Sequence, residues 1–206
     1  LVANRNSGGI ATTAVGVSPI GNNSTAIMTY IQNRYNQGGL AFVLLVGDST
    51  QVATPTASGG SSDPSYGKLA GSDNYPDVMI GRFSAETAAQ VDTQVLRTVE
   101  YETLNMVNEP WYKKGVGIAS SQGAGIGDDG EADYAHMDNP RALLMNQAGY
   151  TTVDQIYDTN GGTAAAVTTA LNQGRGVINY CGHGSATSWS STGFSNTNVN
   201  ALANHN

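Results

Sequence analysis

The chain has 206 residues, of which 12% are charged and 26 are glycine, and its formal net charge is −7. This length allows one large domain or two smaller ones with a core, whereas the scarcity of Lys and Arg excludes a nucleic-acid-binding surface. The 1 cysteine excludes an internal disulfide and a thiolate zinc cluster, and no run reaches the roughly 18 apolar residues of a membrane span.

The amino-terminal half alternates helical and strand patterns. The predicted elements are, in chain order, a helix over 24–35 capped by Ser24, a strand over 41–46, a strand over 78–82 and a helix over 84–102 capped by Ser84. The run 41–46 is continuously apolar, which predicts a strand buried on both faces. Residues 50–75 are rich in Ser, Gly, Pro and Asp, which predicts a long surface loop.

The carboxy-terminal half repeats this alternation. The predicted elements are a strand over 116–119, a helix that starts at Asn139-Pro140, a strand over 152–157, a helix over 163–172 and a strand over 176–181. The break at 108–110 predicts two domains, residues 1–109 and 110–206. The alternation predicts an α/β fold with parallel sheets, whose ligand sites lie beyond the carboxyl ends of the strands. Asp48, Gln122 and His183 occupy such ends.

The segment from Tyr180 to Ser185 carries the clearest chemical signal. Its strand pattern stops at Gly182 and then presents His183 between two glycines, which permit a sharp turn and close approach of another group. A histidine there is suited to general acid–base catalysis, and the N–H of Gly184 is placed to stabilise an oxyanion. The alternative is a histidine that only makes hydrogen bonds within a tight turn.

Cys181 lies two residues before this histidine and suggests a Cys–His pair. Side chains two apart on a strand are separated by roughly 6–7 Å, about twice the hydrogen-bonding reach of a nucleophile and its base. Strand geometry therefore favours Cys181 as a small wall residue, since free cysteines are commonly buried. Its role as the nucleophile remains the competing hypothesis.

An acidic loop, residues 128–133, concentrates carboxylates. It suits a solvated loop, a site for a hard cation such as calcium, or a pocket for a basic substrate side chain. Its glycine and glutamate do not fit the spacing of an EF-hand. At helical spacing from His136 no second ligand supports zinc, so the sequence does not indicate a zinc site there. His205 belongs to no pattern that indicates a function.

Several motifs in this order resemble those of the gingipains, which are secreted bacterial cysteine endopeptidases with a caspase-like fold. The motifs are Phe42-Val43-Leu44-Leu45-Val46-Gly47-Asp48, Ile80-Gly81-Arg82-Phe83-Ser84, Gly130-Glu131-Ala132-Asp133, and Tyr180-Cys181-Gly182-His183-Gly184-Ser185 with Trp189 behind it. The resemblance runs from Leu1 to Asn206, and it implies two side-by-side subdomains, each a mostly parallel sheet flanked by helices, incomplete at both ends.

The resemblance also implies roles for individual residues. His183 is the catalytic histidine, the N–H of Gly184 is half of the oxyanion hole, and Asp133 binds the guanidinium of an arginine at P1, the substrate residue before the scissile bond. Cys181 and Gly182 line the P1 pocket. Gln122 stands where arginine-specific members have a glutamate that orients the histidine; it accepts a hydrogen bond but cannot neutralise an imidazolium. The nucleophilic cysteine of the family follows on a later strand, before which this chain ends.

The sequence thus predicts part of a secreted cysteine endopeptidase that cleaves after basic residues and is inactive without its nucleophile. The expected partners are peptide substrates and the remainder of the catalytic domain, and the expected location is outside a bacterial cell or on its surface. Catalysis needs no cofactor; the resemblance implies structural calcium, whose ligands stay unassigned. The alternative is a non-catalytic caspase-like module for adhesion or assembly.

Overall fold

The structure is a computed structural model that describes residues 1–57, 60–103, 108–125 and 129–204. It divides into two compact units, Leu1–Leu104 and Asn105–Asn206. The division falls shortly before the domain boundary predicted at residues 109 and 110, which stays a prediction. In the described ranges, no helix combines the length and the apolar character needed to span a bilayer.

The first unit packs one long helix against a small parallel sheet. Its elements are α1 (Val2–Ser7), α2 (Ser24–Asn36), β1 (Phe42–Val46), β2 (Thr56–Ala57), β3 (Gly60–Ser61), a 3-10 turn (Asp63–Gly67), β4 (Met79–Phe83) and α3 (Ala88–Thr103). Strands β1 and β4 pair in parallel, with Phe42 opposite Met79. The cap of α2 is Asn23, one residue before the predicted Ser24, because its side chain accepts the N–H of Ala26 at 2.9 Å.

The prediction that β1 is buried on both faces is wrong. Leu45 is 5% exposed and packs against Ile27 and Ile31 of α2, whereas Phe42 is 68% exposed and Leu44 40% exposed. Alternate residues of a strand point to opposite faces, and the described elements of this unit cover only the face of Leu45. A continuously apolar sequence therefore did not show that only one face of β1 is covered by the other described elements of the unit.

The predicted surface loop over 50–75 is also only partly correct. It contains the 3-10 turn Asp63–Gly67, in which Tyr66 is fully buried and donates a hydrogen bond to the carbonyl of Ala53 at 2.7 Å. The guanidinium of Arg82, on β4, binds both carboxylate oxygens of Asp63 at 2.6 and 2.7 Å. This ion pair fastens the turn to the sheet.

The helix predicted from Ser84 begins later, at Ala88. The side-chain oxygen of Gln90 accepts the N–H groups of Glu86 and Thr87 at 2.7 and 3.1 Å. These donors are satisfied outside a helix, which allows the chain to run irregularly as far as Thr87.

The second unit is built on a 3-stranded parallel sheet in the order β6-β5-β7. Its elements are β5 (Lys114–Ala119), α4 (Asp133–Asn146), β6 (Thr152–Tyr157), a 3-10 turn (Asp158–Asn160), α5 (Ala164–Asn172), β7 (Val177–Cys181) and α6 (Asn196–Asn200). Ile118 of the central strand lies opposite Ile156 and Tyr180. Its core contains Val116, Ile118, Val167 and Phe194. The predicted α/β class with parallel sheets is confirmed.

The predicted start of α4 at Pro140 is wrong, because the helix begins at Asp133 and contains Pro140 in its interior. A proline removes one backbone donor, but packing holds this helix in place. Met137 is 5% exposed, and a Cβ added to Gly117 of β5 would lie 2.8 Å from its Cγ. The glycine thus lets α4 approach the central strand closely, which local propensity does not reveal.

Candidate active site

The carboxyl ends of the three parallel strands meet at one edge of the second unit. His183 follows β7, Ser120 and Gln122 follow β5, and Asp158 follows β6. They line one small cleft of about 60 Å³ together with Ser190 and Ser191. The sheet order therefore brings the predicted His183 and Gln122 together, as expected for parallel sheets.

The backbone of His183 is held by two donors. The hydroxyl of Tyr180 donates to the His183 carbonyl at 2.5 Å, and the N–H of Ser190 donates to the same oxygen at 2.9 Å. Gly182 has φ 154°, and a Cβ there would lie 3.0 Å from the Tyr180 hydroxyl and 3.3 Å from the Cβ of Ser120. The turn is thus fixed by contacts that only glycine permits at position 182.

The imidazole of His183 and the N–H of Gly184 have no hydrogen-bond partner in the described part of the chain. The His183 side chain is exposed, and its imidazole makes no hydrogen bond in the described part of the chain. Gly184 pairs with Trp189 in an antiparallel bridge that is hydrogen-bonded through the flanking residues. Its own N–H has no acceptor there either, so it is free to bind an oxyanion.

An aromatic stack supports the turn from behind. The rings of Tyr180 and Trp189 are 4.8 Å apart and 11° from parallel, and Trp189 in turn contacts the buried Phe194 at 5.4 Å between ring centroids. Offset stacking of this kind adds to the energy of burial. Tyr180 belongs to the motif that contains His183, but its anchoring role was not predicted from the sequence.

Asp133 lies at the start of α4, and its carboxylate points to the end of the central strand. Its Oδ2 accepts a hydrogen bond from the hydroxyl of Ser120 at 2.5 Å, and its backbone N–H donates to the carbonyl of Gln122 at 2.9 Å. Ser120 is 4% exposed and also accepts the N–H of Gln122 at 3.1 Å. Ser120 was not predicted from the sequence, although a polar residue directly after a buried strand is a usable signal.

Cys181 is half-buried near this carboxylate. Burial raises the pKa of its thiol, and the negative charge of Asp133 raises it further, followed by a hydrogen bond with Asp133 and the charge of Glu131. A raised pKa favours the thiol over the nucleophilic thiolate. The surroundings of Cys181 are therefore those of a wall residue beside an acidic group.

The acidic loop is organised by internal hydrogen bonds. Glu131 contacts Nδ1 of His136 at 2.6 Å and accepts the N–H of Asp129 at 2.7 Å. The hydrogen bond with His136 is the main cause that lowers the pKa of Glu131. Asp128 and His205 lie outside the described residues. Within the described ranges no group of three or more His, Cys, Asp or Glu side chains could hold a metal, and structural calcium stays a prediction.

Asp158 is a further residue that the sequence analysis missed. Asp158 is half-buried and lines the cleft of His183, and its carboxylate has no hydrogen bond or ion pair with any described residue. The usable signal was its position directly after β6, at the same edge of the sheet as Gln122 and His183.

Comparisons with known proteins agree on one family. The family model described as peptidase family C25 matches residues 1–206. The chain is 38% identical over 185 residues to gingipain R2 of Porphyromonas gingivalis, covering 89% of this chain and 25% of that protein. It is 26% identical over 194 residues to Lys-gingipain HG66 of Porphyromonas gingivalis, covering 91% of this chain and 11% of that protein. The chain thus spans a quarter or less of these relatives.

Solved structures give the same answer. The complex of Porphyromonas gingivalis RgpB pro- and mature domains matches with a TM-score of 0.86 and 35% identity, over 98% of this chain and 48% of that one. The Arg specific cysteine proteinase gingipain R (RGPB) matches with a TM-score of 0.77 and 37% identity, over 91% and 43%. The predicted caspase-like α/β fold and the resemblance to gingipains are confirmed. The chain belongs to peptidase family C25, with the gingipains among its relatives.

Proposed function

We propose that this chain is the histidine-bearing part of a cysteine endopeptidase that cleaves peptide bonds after arginine. The observation that carries the proposal is that Ser120, after the central strand, both lines the cleft of His183 and binds the carboxylate of Asp133. The imidazole is suited to proton transfer and the carboxylate to recognition of a cation.

The reaction is acyl transfer through a cysteine thiolate that lies outside this chain. Strand β7 is the outer strand of the described 3-stranded sheet. A parallel strand added beside it would bring its own carboxyl end next to His183. The thiolate attacks the scissile carbonyl, the N–H of Gly184 stabilises the oxyanion, and the imidazolium of His183 delivers its proton to the leaving amine as the peptide C–N bond breaks. Water then hydrolyses the thioester, with the neutral imidazole accepting its proton, which releases the acid and restores the thiolate.

Cys181 is the less suitable nucleophile, for two reasons. Its thiol pKa is raised by burial and by the charge of Asp133, and its thiol makes no hydrogen bond with the imidazole of His183 in the described part of the chain. We place Cys181 and Gly182 in the wall of the substrate pocket.

Asp133 is proposed to bind the guanidinium of the P1 arginine. A carboxylate binds a guanidinium through two parallel hydrogen bonds, whereas a lysine ammonium acts as a point charge. The chain is more similar to gingipain R2, at 38% identity, than to Lys-gingipain HG66, at 26%. This difference in identity supports arginine over lysine as the P1 residue of the substrate.

We propose that Gln122 orients the imidazole of His183 but supplies no negative charge to stabilise its protonated form. Both residues line the same cleft, and an amide oxygen accepts a hydrogen bond from an imidazole N–H but supplies no negative charge. Location outside the cell and structural calcium stay predictions, and no step of this mechanism passes through a metal.

The test is peptide cleavage by the full-length protein with fluorogenic substrates that carry Arg, Lys or Met at P1. We expect cleavage after Arg, and His183→Ala should lower kcat about 100- to 10,000-fold. The melting temperature should stay unchanged, because the imidazole is exposed and makes no hydrogen bond in the described part of the chain.

Unchanged turnover in His183→Ala would remove the histidine from the mechanism. A full-length wild type that cleaves none of the three substrates would overturn the proposal in favour of a non-catalytic module. The variant should be compared with wild type at equal concentrations of folded protein, established by circular dichroism.

A further inference from the structure

We propose that Ser120 is the residue that sets the specificity for arginine, because it holds the Asp133 carboxylate in one orientation. The inference rests on the proposed role of Asp133 as the P1 carboxylate. It assigns Ser120 a positioning function, since its hydroxyl acts through Asp133 and does not contact the substrate itself.

The direction of the hydrogen bond follows from the chemistry of the two groups. The Ser120 hydroxyl has one proton to give, and an ionised carboxylate only accepts. Its oxygen also receives the N–H of Gln122 at 3.1 Å, so its proton is left for Oδ2 of Asp133 at 2.5 Å. Ser120 is 4% exposed, which excludes water as an easy substitute for either partner.

A glycine makes room for the second carboxylate oxygen of Asp133. Gly123 has φ 84°, and a Cβ at this position would lie 2.7 Å from Oδ1 of Asp133. The backbone of Gly123 therefore lies beside Oδ1, while the Ser120 hydroxyl binds Oδ2. The hydrogen bond from Ser120 limits rotation of the carboxylate plane.

Orientation matters more for one kind of cation than for the other. A planar guanidinium must meet both oxygens in a common plane to form two hydrogen bonds, whereas an ammonium group accepts many approach angles. Loss of the Ser120 hydroxyl should therefore weaken arginine recognition more than lysine recognition. A residue with a purely structural role would weaken both, and apolar substrates as well.

The experiment compares Ser120→Ala with Ser121→Ala in the full-length protein. Ser121 is the exposed neighbour and serves as the matched control. For Ser120→Ala we expect kcat/KM on the Arg substrate to fall about tenfold or more, mainly through KM. The Lys substrate should lose much less and the Met substrate nothing, and the inhibition constant of benzamidine, a planar cation, should rise by a similar factor.

Asp133→Asn in the same assays separates this inference from the proposed function. An unchanged Arg-to-Lys ratio in Ser120→Ala, with a collapsed ratio in Asp133→Asn, overturns the role of Ser120 alone. Equal losses on all three substrates in Ser120→Ala have the same meaning. An unchanged ratio in both variants overturns the P1 role of Asp133, and the inference falls with it.

Discussion

The hydroxyl of Tyr180 donates a hydrogen bond to the backbone carbonyl of His183 at 2.5 Å, while its ring stacks on Trp189 at 4.8 Å between centroids. One side chain thus connects the strand, the histidine turn and the loop that follows. The carbonyl keeps a second donor, the N–H of Ser190.

Tyr180→Phe should preserve the stack and remove the hydrogen bond. Because Ser190 still holds the carbonyl, we expect a loss of stability of about 1 kcal/mol and a several-fold lower kcat, with KM unchanged. Steady-state kinetics and thermal unfolding of the full-length protein check this. A kcat equal to that of wild type would show that the turn keeps its geometry without Tyr180.

The ion pair between Arg82 and Asp63 should stabilise the first unit. The two side chains are 12% and 26% exposed, and Arg82 also donates to the carbonyls of Gly47 and Val52 at 2.7 and 3.0 Å. Asp63→Asn should lower the free energy of unfolding by roughly 2–3 kcal/mol near neutral pH. Asp92→Asn, on the exposed face of α3, should change it by less than about 0.5 kcal/mol.

The effect of Asp63→Asn should disappear in acid. The hydrogen bond with Arg82 is the main cause that lowers the pKa of Asp63 in the folded protein. Its stabilisation is therefore present above the unfolded pKa of about 3.9 and is lost as the pH falls through the folded value. Urea unfolding at several pH values checks this, and a difference that persists well below about pH 2 would contradict it.

Tyr157 should make the second unit sensitive to alkali. It is 2% exposed, and burial, followed by its hydrogen bond to Asp138 at 3.0 Å, raises its pKa to about 12. Because the unfolded state ionises near pH 10, stability should fall by roughly 2–3 kcal/mol as the pH rises from about 10 to about 12.

Tyr157→Phe should remove this part of the alkaline loss and cost about 1 kcal/mol at neutral pH. Asp138 keeps the amide of Gln155 as a donor at 2.6 Å, so it is not left unpaired. Unfolding by urea at neutral and alkaline pH measures both effects. The same alkaline slope in the variant and in wild type would refute the assignment to Tyr157.

Cys181 should react slowly with iodoacetamide at neutral pH, because its raised pKa leaves little thiolate. Asp133→Asn removes a neighbouring negative charge and should speed the reaction, with the pH midpoint shifted downward. Mass spectrometry of the labelled peptide follows this cysteine alone. Fast labelling of Cys181 in wild type at neutral pH would instead support the hypothesis that Cys181 is the nucleophile.

Sequence patterns predicted the elements that local rules determine. The strand over 152–157 is confirmed at the same bounds, and the helix over 163–172 begins one residue later because Thr163 is its cap. The patterns failed where tertiary contacts decide. Pro140 stays within α4 because Met137 packs against Gly117, and Tyr66 is buried because its hydroxyl finds the carbonyl of Ala53.

The candidate site shows the same division. The meeting of His183 and Gln122 followed from parallel topology, because carboxyl ends of neighbouring strands share an edge. Ser120 and Asp158 were missed because a serine or aspartate after a strand is common, and only the positions of the side chains show which ones face the site. Distances between side-chain atoms show which carboxylate oxygen accepts a hydrogen bond and which group donates it. The spacing of residues in the sequence does not give these distances.

The contact between Trp189 and Tyr180 has a practical optical consequence. The chain has 2 tryptophans, Trp111 and Trp189, and both belong to the second unit. In these 206 residues, intrinsic tryptophan emission therefore reports on the second unit and leaves unfolding of the first unit to far-ultraviolet dichroism. With Trp111 replaced by Phe, the remaining tryptophan of this chain is the ring stacked on the anchor of His183, so its emission reports on the histidine turn.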